Sequence, residues 1–229
     1  MKNEVSVFKG KTDLTVRGSD IGHGSQEVTS GDVVIPRIKV LQLISDEVIT
    51  SNPKYIEGAQ AGMFLNSVTN ELYSSLYVVN LYFSRKTVVW KKRKVGGGMF
   101  GTFLNEAEAL DALAKENEPV ANYDISENPT HLLMVIDDDG KSQGIVLLDM
   151  PGSKIKHSKR WNTLISAQED AGNPRYGCVW ELSVIADSSS SGPFSNCEAK
   201  FIVHAPDDIY QAAKREYDRF FPSIVEQAA

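Results

Sequence analysis

The stretch LYVVNLYFSRKTVVWKKRKVGGGMFGTF, residues 76–103, decides the fold class of this chain. Residues 76–84 are rich in Val, Tyr and Phe, residues 86–94 mix apolar with basic side chains, and residues 99–103 follow a triple-glycine turn. Each of these segments favours a strand. Strand candidates in direct succession are incompatible with the regular strand–helix alternation of a doubly wound parallel sheet. We therefore predict antiparallel pairing.

Outside this stretch, the patterns predict more strands and two or three helices. A helix is expected from Asn105, where Glu108 completes a capping box, and the acidic residues after it are expected to form a loop. Two more helices should begin at Ser153 and near Pro206. The other strands are expected at 38–41, in a hairpin over 62–73, in a hairpin over 131–149, and at 176–185 and 196–204. The predicted class is α+β, with an antiparallel sheet or an OB-like β-barrel and inserted or terminal helices.

The length of 229 residues suits one domain. We predict a flexible N-terminal arm over 1–32, a single OB-like α+β domain over 33–222, and a short tail over 223–229. The apolar runs are too short to cross a bilayer, and no secretory signal is present, so a cytoplasmic location is expected. Cys178 and Cys197 are predicted to be buried thiols rather than a disulfide.

The net charge of −6 argues against a protein that coats duplex DNA with its whole surface. The charge is nevertheless unevenly distributed along the chain. Residues 106–139 are strongly acidic and include a single basic residue, Lys115. Two basic stretches flank them: Arg85, Lys86, Lys91, Lys92, Arg93 and Lys94, and then Lys154, Lys156, Lys159 and Arg160.

Motifs for catalysis or cofactors are weak. The segment 96–101 formally matches G-x-G-x-x-G, but the chain continues apolar through Leu104 before a helix can begin, so a hairpin loop is favoured over a dinucleotide site. The histidines have no zinc-type spacing. The run 137–139 consists of three aspartates, which could bind Mg²⁺ but are common in turns. We predict a non-enzymatic protein without a cofactor.

The segment from Tyr82 to Lys94 is the best functional lead. Strand alternation places Lys86, Val88, Trp90, Lys92 and Lys94 on one face. An aromatic ring beside cations suits single-stranded nucleic acid, because bases stack on the ring while Lys and Arg follow the phosphates. Tyr82, Phe100 and Trp161 are further candidates for stacking on bases. The alternative is a solvated edge strand with Trp90 buried, and a solvated helix face with Trp161 in the core.

Four short segments carry a family resemblance: PRIKVLQ at 36–42, GMFLNSVTNELY at 62–73, VVWKKR at 88–93 and SKRWNTL at 158–164. In these segments the chain resembles bacteriophage single-stranded-DNA-binding proteins of the OB-fold type. The resemblance spans about 36–220. It implies an OB-like fold, protection of single strands during phage replication or recombination, and no cofactor.

We therefore predict a single-stranded-DNA-binding protein in which all ten cations converge around an exposed indole. Its partners would be single-stranded DNA and phage replication or recombination proteins. The pattern is equally compatible with RNA, and with any oligomeric state. Two other hypotheses stay open: a phage protein–protein interaction or inhibitor module that uses the acidic region 106–139, and a metal-dependent nuclease that uses Asp137, Asp138 and Asp139.

Overall fold

A computed structural model describes residues 23–28, 32–189 and 192–221. The chain divides into two compact units, Met1–Val34 and Ile35–Ala229. In the first unit, residues 23–28 form turns. Apart from 23–28 and 32, the predicted arm lies outside the described residues, and so does the predicted tail over 223–229. All the strands and helices named below belong to the second unit.

Strands and helices of the second unit follow the order βββββαββαββα. The strands are β1 Ile38–Val40, β2 Phe64–Asn66, β3 Leu72–Tyr73, β4 Ser75–Lys91, β5 Met99–Phe103, β6 Tyr123–Ile136, β7 Ser142–Asp149, β8 Cys178–Ser189 and β9 Gly192–His204. The helices are α1 Glu106–Lys115, α2 Ile155–Asp170 and α3 Asp207–Phe220.

The long strand β4 organises the main sheet, whose order is β7-β6-β4-β8-β9. Strand β6 pairs with β4 along nearly its whole length, whereas β8 pairs with its first residues and β5 with its last. Strands β1, β2 and β3 form a second, smaller antiparallel sheet. The α+β class and the antiparallel pairing are confirmed. In the part of the chain that the structure describes, both sheets are open and neither closes into a barrel.

Two elements differ from the sequence prediction. The two strands predicted at 76–84 and 86–94 are one strand that ends at Lys91, because pairing with β6 continues without a shift of register across Arg85, where a break was predicted. The acidic segment predicted as a loop joins the sheet as the first half of β6. Its carboxylates are accommodated there because Asp124 and Glu127 lie 3.8 and 3.7 Å from cations on or next to β4.

Helices cover both faces of the main sheet. On one face, Trp161 and Ile165 of α2 pack against Val78, Leu133 and Trp180. Farther along β4 on this same side, Ala109 and Leu113 of α1 pack with Val89 and Tyr123. We call this side the α1/α2 face.

The other side of the sheet is the α3 face, where Ile209 and Ala213 of α3 pack with Val79, Leu81 and Met134. Helix α3 covers only the first half of β4, since its last aromatic neighbour, Phe221, meets Tyr82 with 4.4 Å between the ring centroids. The second half of β4 extends beyond this helix. Its residues on the α3 face therefore have no helix packed over them in the described structure.

Several local predictions are confirmed. The β2–β3 hairpin forms with Phe64 opposite Tyr73, and Asn70 in its turn adopts a positive φ of 60°. The side chain of Asn105 caps α1 by accepting a hydrogen bond from the backbone N–H of Glu108. Cys178 and Cys197 are both free and buried. These features follow from short-range chemistry.

Candidate nucleic-acid interface

Trp90 lies on the exposed side of a three-stranded extension of the main sheet. The extension consists of the second half of β4, between β5 and the first half of β6. Val89 points towards α1 and is buried. Because successive strand residues point to opposite faces, Trp90 points away from α1, and 48% of it is exposed. We call this side of the extension the open face; it continues the α3 face.

The open face is built from residues that lie opposite each other across the strand pairs. Trp90 is paired with Met99 on β5 and with Asp124 on β6. Val88 is paired with Thr102 and Ser126, and Lys86 with Asn128. The surface therefore combines an indole, an exposed methionine and small polar side chains, with one cation and one carboxylate. The charge of Asp124 is partly offset by Lys92, whose Nζ lies 3.8 Å from its Oδ1.

Half of the first basic stretch is engaged in ion pairs with the acidic region. Arg85 pairs with Glu127 at 3.7 Å, Lys91 with Glu118 at 3.3 Å, and Lys92 with Asp124. The hydrogen bond to Glu118 raises the pKa of Lys91. The charges that are segregated along the chain are thus paired in space. Lys86, Arg93 and Lys94 are the members of this stretch that have no ion pair within the described residues.

The predicted aromatic residues do not come together. Tyr82 is exposed on the α3 face beside Phe221, on the same side of β4 as Trp90. Phe100 lies on the other side, next to Phe103 and Tyr123 with centroid distances of 6.1 and 5.3 Å. A shift of register between Val89 and Trp90 places it there. Phe100, a further candidate for stacking on bases, therefore lies on the side of the sheet opposite Trp90.

Trp161 is a core residue. Its ring stacks on His131 at a centroid distance of 4.6 Å and packs edge-on against Trp180 at 6.0 Å. Only 1% of Trp161 is exposed, so its indole has no surface for a base to stack on. The structure contradicts the predicted contact of Trp161 with nucleic acid, because helical periodicity turns this residue inward from α2.

The second basic stretch lies on the α1/α2 face. Its position there is fixed by a 2.9 Å hydrogen bond between Ser158 Oγ of α2 and His131 Nε2. Lys156 pairs with Asp187 at 2.7 Å and Arg160 with Glu198 at 3.8 Å. The predicted convergence of ten cations around Trp90 is therefore wrong, since the sheet separates the open face from α2. Lys154 and Lys159 have no ion pair in the part of the chain that the structure describes.

A buried polar network was missed by the sequence prediction. Asn80 Nδ2 lies 2.9 Å from His131 Nδ1, and Arg175 donates to the Oδ1 atoms of Asn80 and Asn162 at 3.2 and 3.1 Å. Burial, helped by Arg175, lowers the pKa of His131 to about 3. Because Ser158 and His131 are both buried, their hydrogen bond is not open to a substrate and serves packing. An asparagine inside the apolar run of β4 was the available signal.

The aspartate run 137–139 has a structural role in the β6–β7 turn. Asp137 Oδ1 accepts hydrogen bonds from the backbone N–H groups of Asp139 and Lys141, at 3.0 and 2.8 Å. Over residues 23–28, 32–189 and 192–221, no group of three or more His, Cys, Asp or Glu side chains is arranged to hold a metal ion. The hydrogen bonds of Asp137 within the turn therefore explain why position 137 is an aspartate.

The described helices are all too short or too polar to cross a membrane. No curated protein and no solved structure matches the chain. A family model described as Pam3 phage gp34-like protein matches residues 5–222, which is nearly the whole sequence. The chain therefore belongs to the Pam3 phage gp34-like family of phage proteins.

Proposed function

We propose that this phage protein binds single-stranded DNA through the open face, as a non-enzymatic component of phage replication or recombination. The observation that carries the proposal is the half-exposed indole of Trp90 on a sheet surface that no described helix covers. An exposed tryptophan on a strand is a platform on which any base stacks, with about 1–3 kcal/mol per base. The resemblance of four short segments to bacteriophage single-stranded-DNA-binding proteins supports the same function.

Charges on both sides of Trp90 support the proposal. Lys86 lies on the same face as Trp90, four residues before it in β4. Arg93 and Lys94 follow β4 in the turn to β5. These three cations have no protein partner within the described residues, so phosphates can pair with them without breaking an ion pair. Asp124 opposes an approaching phosphate, and its pairing with Lys92 reduces that repulsion.

The open face has the length of a short binding site. Tyr82 and Trp90 are eight residues apart on the same side of β4, which is about 26 Å in an extended strand. A single strand that runs along β4 would contact Trp90, Lys86 and Tyr82 in turn. For comparison, single-strand sites on OB folds span about 4–16 nucleotides.

Intrinsic tryptophan fluorescence tests the proposal directly. Of the three tryptophans, Trp161 and Trp180 are buried, so a change in emission on adding an oligonucleotide reports on Trp90. We expect quenching by oligo(dT) at low salt, and much weaker quenching by duplex DNA of the same length. An RNA oligonucleotide in parallel measures the preference for deoxyribose.

The variant that tests the same site is Trp90→Ala. Its binding is measured by the fluorescence anisotropy of a labelled oligonucleotide. We expect Kd to rise about 5- to 150-fold, the equivalent of one lost stacking contact of 1–3 kcal/mol. Lys159→Glu is the control, since this exposed lysine lies on the opposite side of the sheet. Unchanged anisotropy of the labelled oligonucleotide with the wild-type protein at low salt would refute the proposed function.

A further inference from the structure

A second surface lies far from Trp90, where the end of β8 pairs with the start of β9. A groove of about 810 Å³ runs between this hairpin, the segment 42–44 with Ala61 and Gly62, and the start of α2. We call it the hairpin groove. Ser75 at the start of β4 is paired with Ser183 of β8, and Trp90 is fifteen residues farther along β4, about 50 Å in an extended strand. The two surfaces are therefore separate.

Polar contacts fix the walls of the hairpin groove. The side-chain amide of Gln42 accepts from the backbone N–H of Ser195 at 2.8 Å and donates to its carbonyl at 2.7 Å. Buried Asn196 donates to the carbonyl of Ser153 and to Asp187, at 3.4 and 3.2 Å. These contacts tie the segment 42–44 and the start of α2 to the hairpin. The groove is thus preformed, and a ligand would not have to order it.

The lining of the hairpin groove is apolar with a single cation. Leu43 and Ile44 are 73% and 85% exposed, which is unusual for large aliphatic side chains beside one another. Val184, Ile185 and Phe194 add further apolar side chains to the lining. Lys154 is the one charged residue of the lining. It has no ion pair within the described residues, so the groove presents one uncompensated positive charge.

Three residues of the lining, Val184, Ile185 and Ala186, belong to a stretch of β8 that has an unpaired edge. Strand β8 pairs with β4 only from Val179 to Ser183, while its pairing with β9 continues to Ser189. From Val184 to Asp187, the edge on the β4 side therefore has no strand partner among the described residues, whereas the backbone N–H of Ser188 already donates to Asp187 Oδ1 at 2.9 Å. Backbone N–H and C=O groups on such an edge can pair with an added strand, and neighbouring apolar pockets then select its side chains.

We propose that the hairpin groove binds an extended segment of a partner protein that carries apolar side chains and an acidic residue. The segment adds a strand to the β8 edge, its apolar side chains contact Leu43 and Ile44, and its carboxylate pairs with Lys154. Charge complementarity selects this occupant. Lys154 is the one charged residue among the described residues of the lining, and the carboxylate of Asp187 on the same stretch of β8 is already paired with Lys156 at 2.7 Å. A polyanion would find one phosphate partner there, which distinguishes this groove from the open face.

Selection from a displayed library of random peptides on the immobilised protein tests the proposal. We expect enriched peptides in which apolar residues flank an aspartate or glutamate. Synthetic versions should bind Ile44→Asp and Lys154→Glu at least tenfold more weakly than the wild-type protein. Ile44 is exposed and Lys154 is partly exposed, and the matched controls at exposed positions are Val68→Asp and Lys159→Glu, which lie outside the groove lining and should bind as the wild type does.

Three results would overturn this inference: no enriched peptide, enriched peptides without an acidic residue, or binding that survives in Ile44→Asp. Sedimentation velocity tests whether the groove is instead occupied by a second copy of the chain. A wild-type dimer that Ile44→Asp converts to a monomer would assign the groove to a second copy of the chain instead. Oligonucleotide binding should be unchanged in Ile44→Asp and Lys154→Glu, so failure here and failure of the proposed DNA site are distinguishable.

Discussion

Single residues in the buried network show how this sheet tolerates polar groups in its interior. His131 lies between Asn80 of β4 and Ser158 of α2, and each nitrogen of its imidazole has one of these side chains as a neighbour at 2.9 Å. Arg175 has amide oxygens as partners and lies 5.9 Å from the Phe83 ring. Buried polar groups with partners have a modest net effect on stability, but removing one partner leaves the other unsatisfied.

His131 makes stability depend on pH. Its pKa is about 3 in the folded chain and about 6.5 when unfolded, so the unfolded state binds the additional proton as pH falls from 6.5 towards 3. Stability should therefore decrease with falling pH in this window, by about 2 kcal/mol at pH 5 from this residue alone. Urea unfolding at pH 7 and pH 5 measures the loss.

The comparison variant is His131→Gln, which removes the titrating group whatever its effect on absolute stability. The loss of unfolding free energy between pH 7 and pH 5 should be smaller in this variant by about the same 2 kcal/mol. Equal pH dependence in the wild-type protein and this variant would show that His131 does not titrate in this way.

At the scale of elements, α1 determines which side of the sheet extension stays open. It covers Val89 and Tyr123 on one side and leaves Trp90 exposed on the other. The helix has ten residues, and its start is fixed by Asn105 and by Glu108, whose carboxylate accepts from the backbone N–H of Leu104 at 3.1 Å. A helix this short depends on its cap and on packing, since isolated helices of this length are marginal.

Asn105→Ala should lower the free energy of unfolding by about 1 kcal/mol, because the N–H of Glu108 loses its acceptor. Urea denaturation measures the change, and Asn105→Ser, which restores a capping oxygen, should recover most of it. Base stacking on Trp90 should be unaffected below the unfolding transition, because the cap lies outside the open face. If Asn105→Ser lowered the free energy of unfolding as much as Asn105→Ala does, the capping role would be contradicted.

At the scale of the whole molecule, ion pairing reduces the charge that is available to a nucleic acid. Ten cations occur in the two basic stretches, but five of them pair with carboxylates, and the sheet separates α2 from Trp90. Three unpaired cations, Lys86, Arg93 and Lys94, lie near the open face. The site should therefore depend on stacking more than on phosphate contacts.

The salt dependence of oligonucleotide binding tests this distribution of charge. With three phosphate contacts, a plot of log Kobs against log salt concentration should have a slope of about −2, since each contact to a single strand contributes about −0.7. Convergence of all ten cations would give about −7. Anisotropy titrations at salt concentrations from roughly 50 to 300 mM distinguish the two slopes. A slope near −7 would contradict the position of α2 on the side of the sheet opposite Trp90.

Local features were predictable from the sequence, because they depend on residues close to each other along the chain. The start of α1 at Asn105, the β2–β3 hairpin, the antiparallel class and the two buried thiols follow from caps, turns and apolar patterns. The alternation that places Lys86 and Trp90 on one face of β4 is also a local property. These predictions needed no knowledge of which strands pair.

The surroundings of these residues were decided by the tertiary structure alone. Pairing with β6 brings Asp124 and Glu127 to cations more than thirty positions earlier, and so cancels a charge segregation that is real along the chain. Packing of Trp161 places α2 on the face opposite Trp90. Long-range pairing and packing determine which charges meet and which aromatic rings stay exposed, and neither is encoded in a short segment.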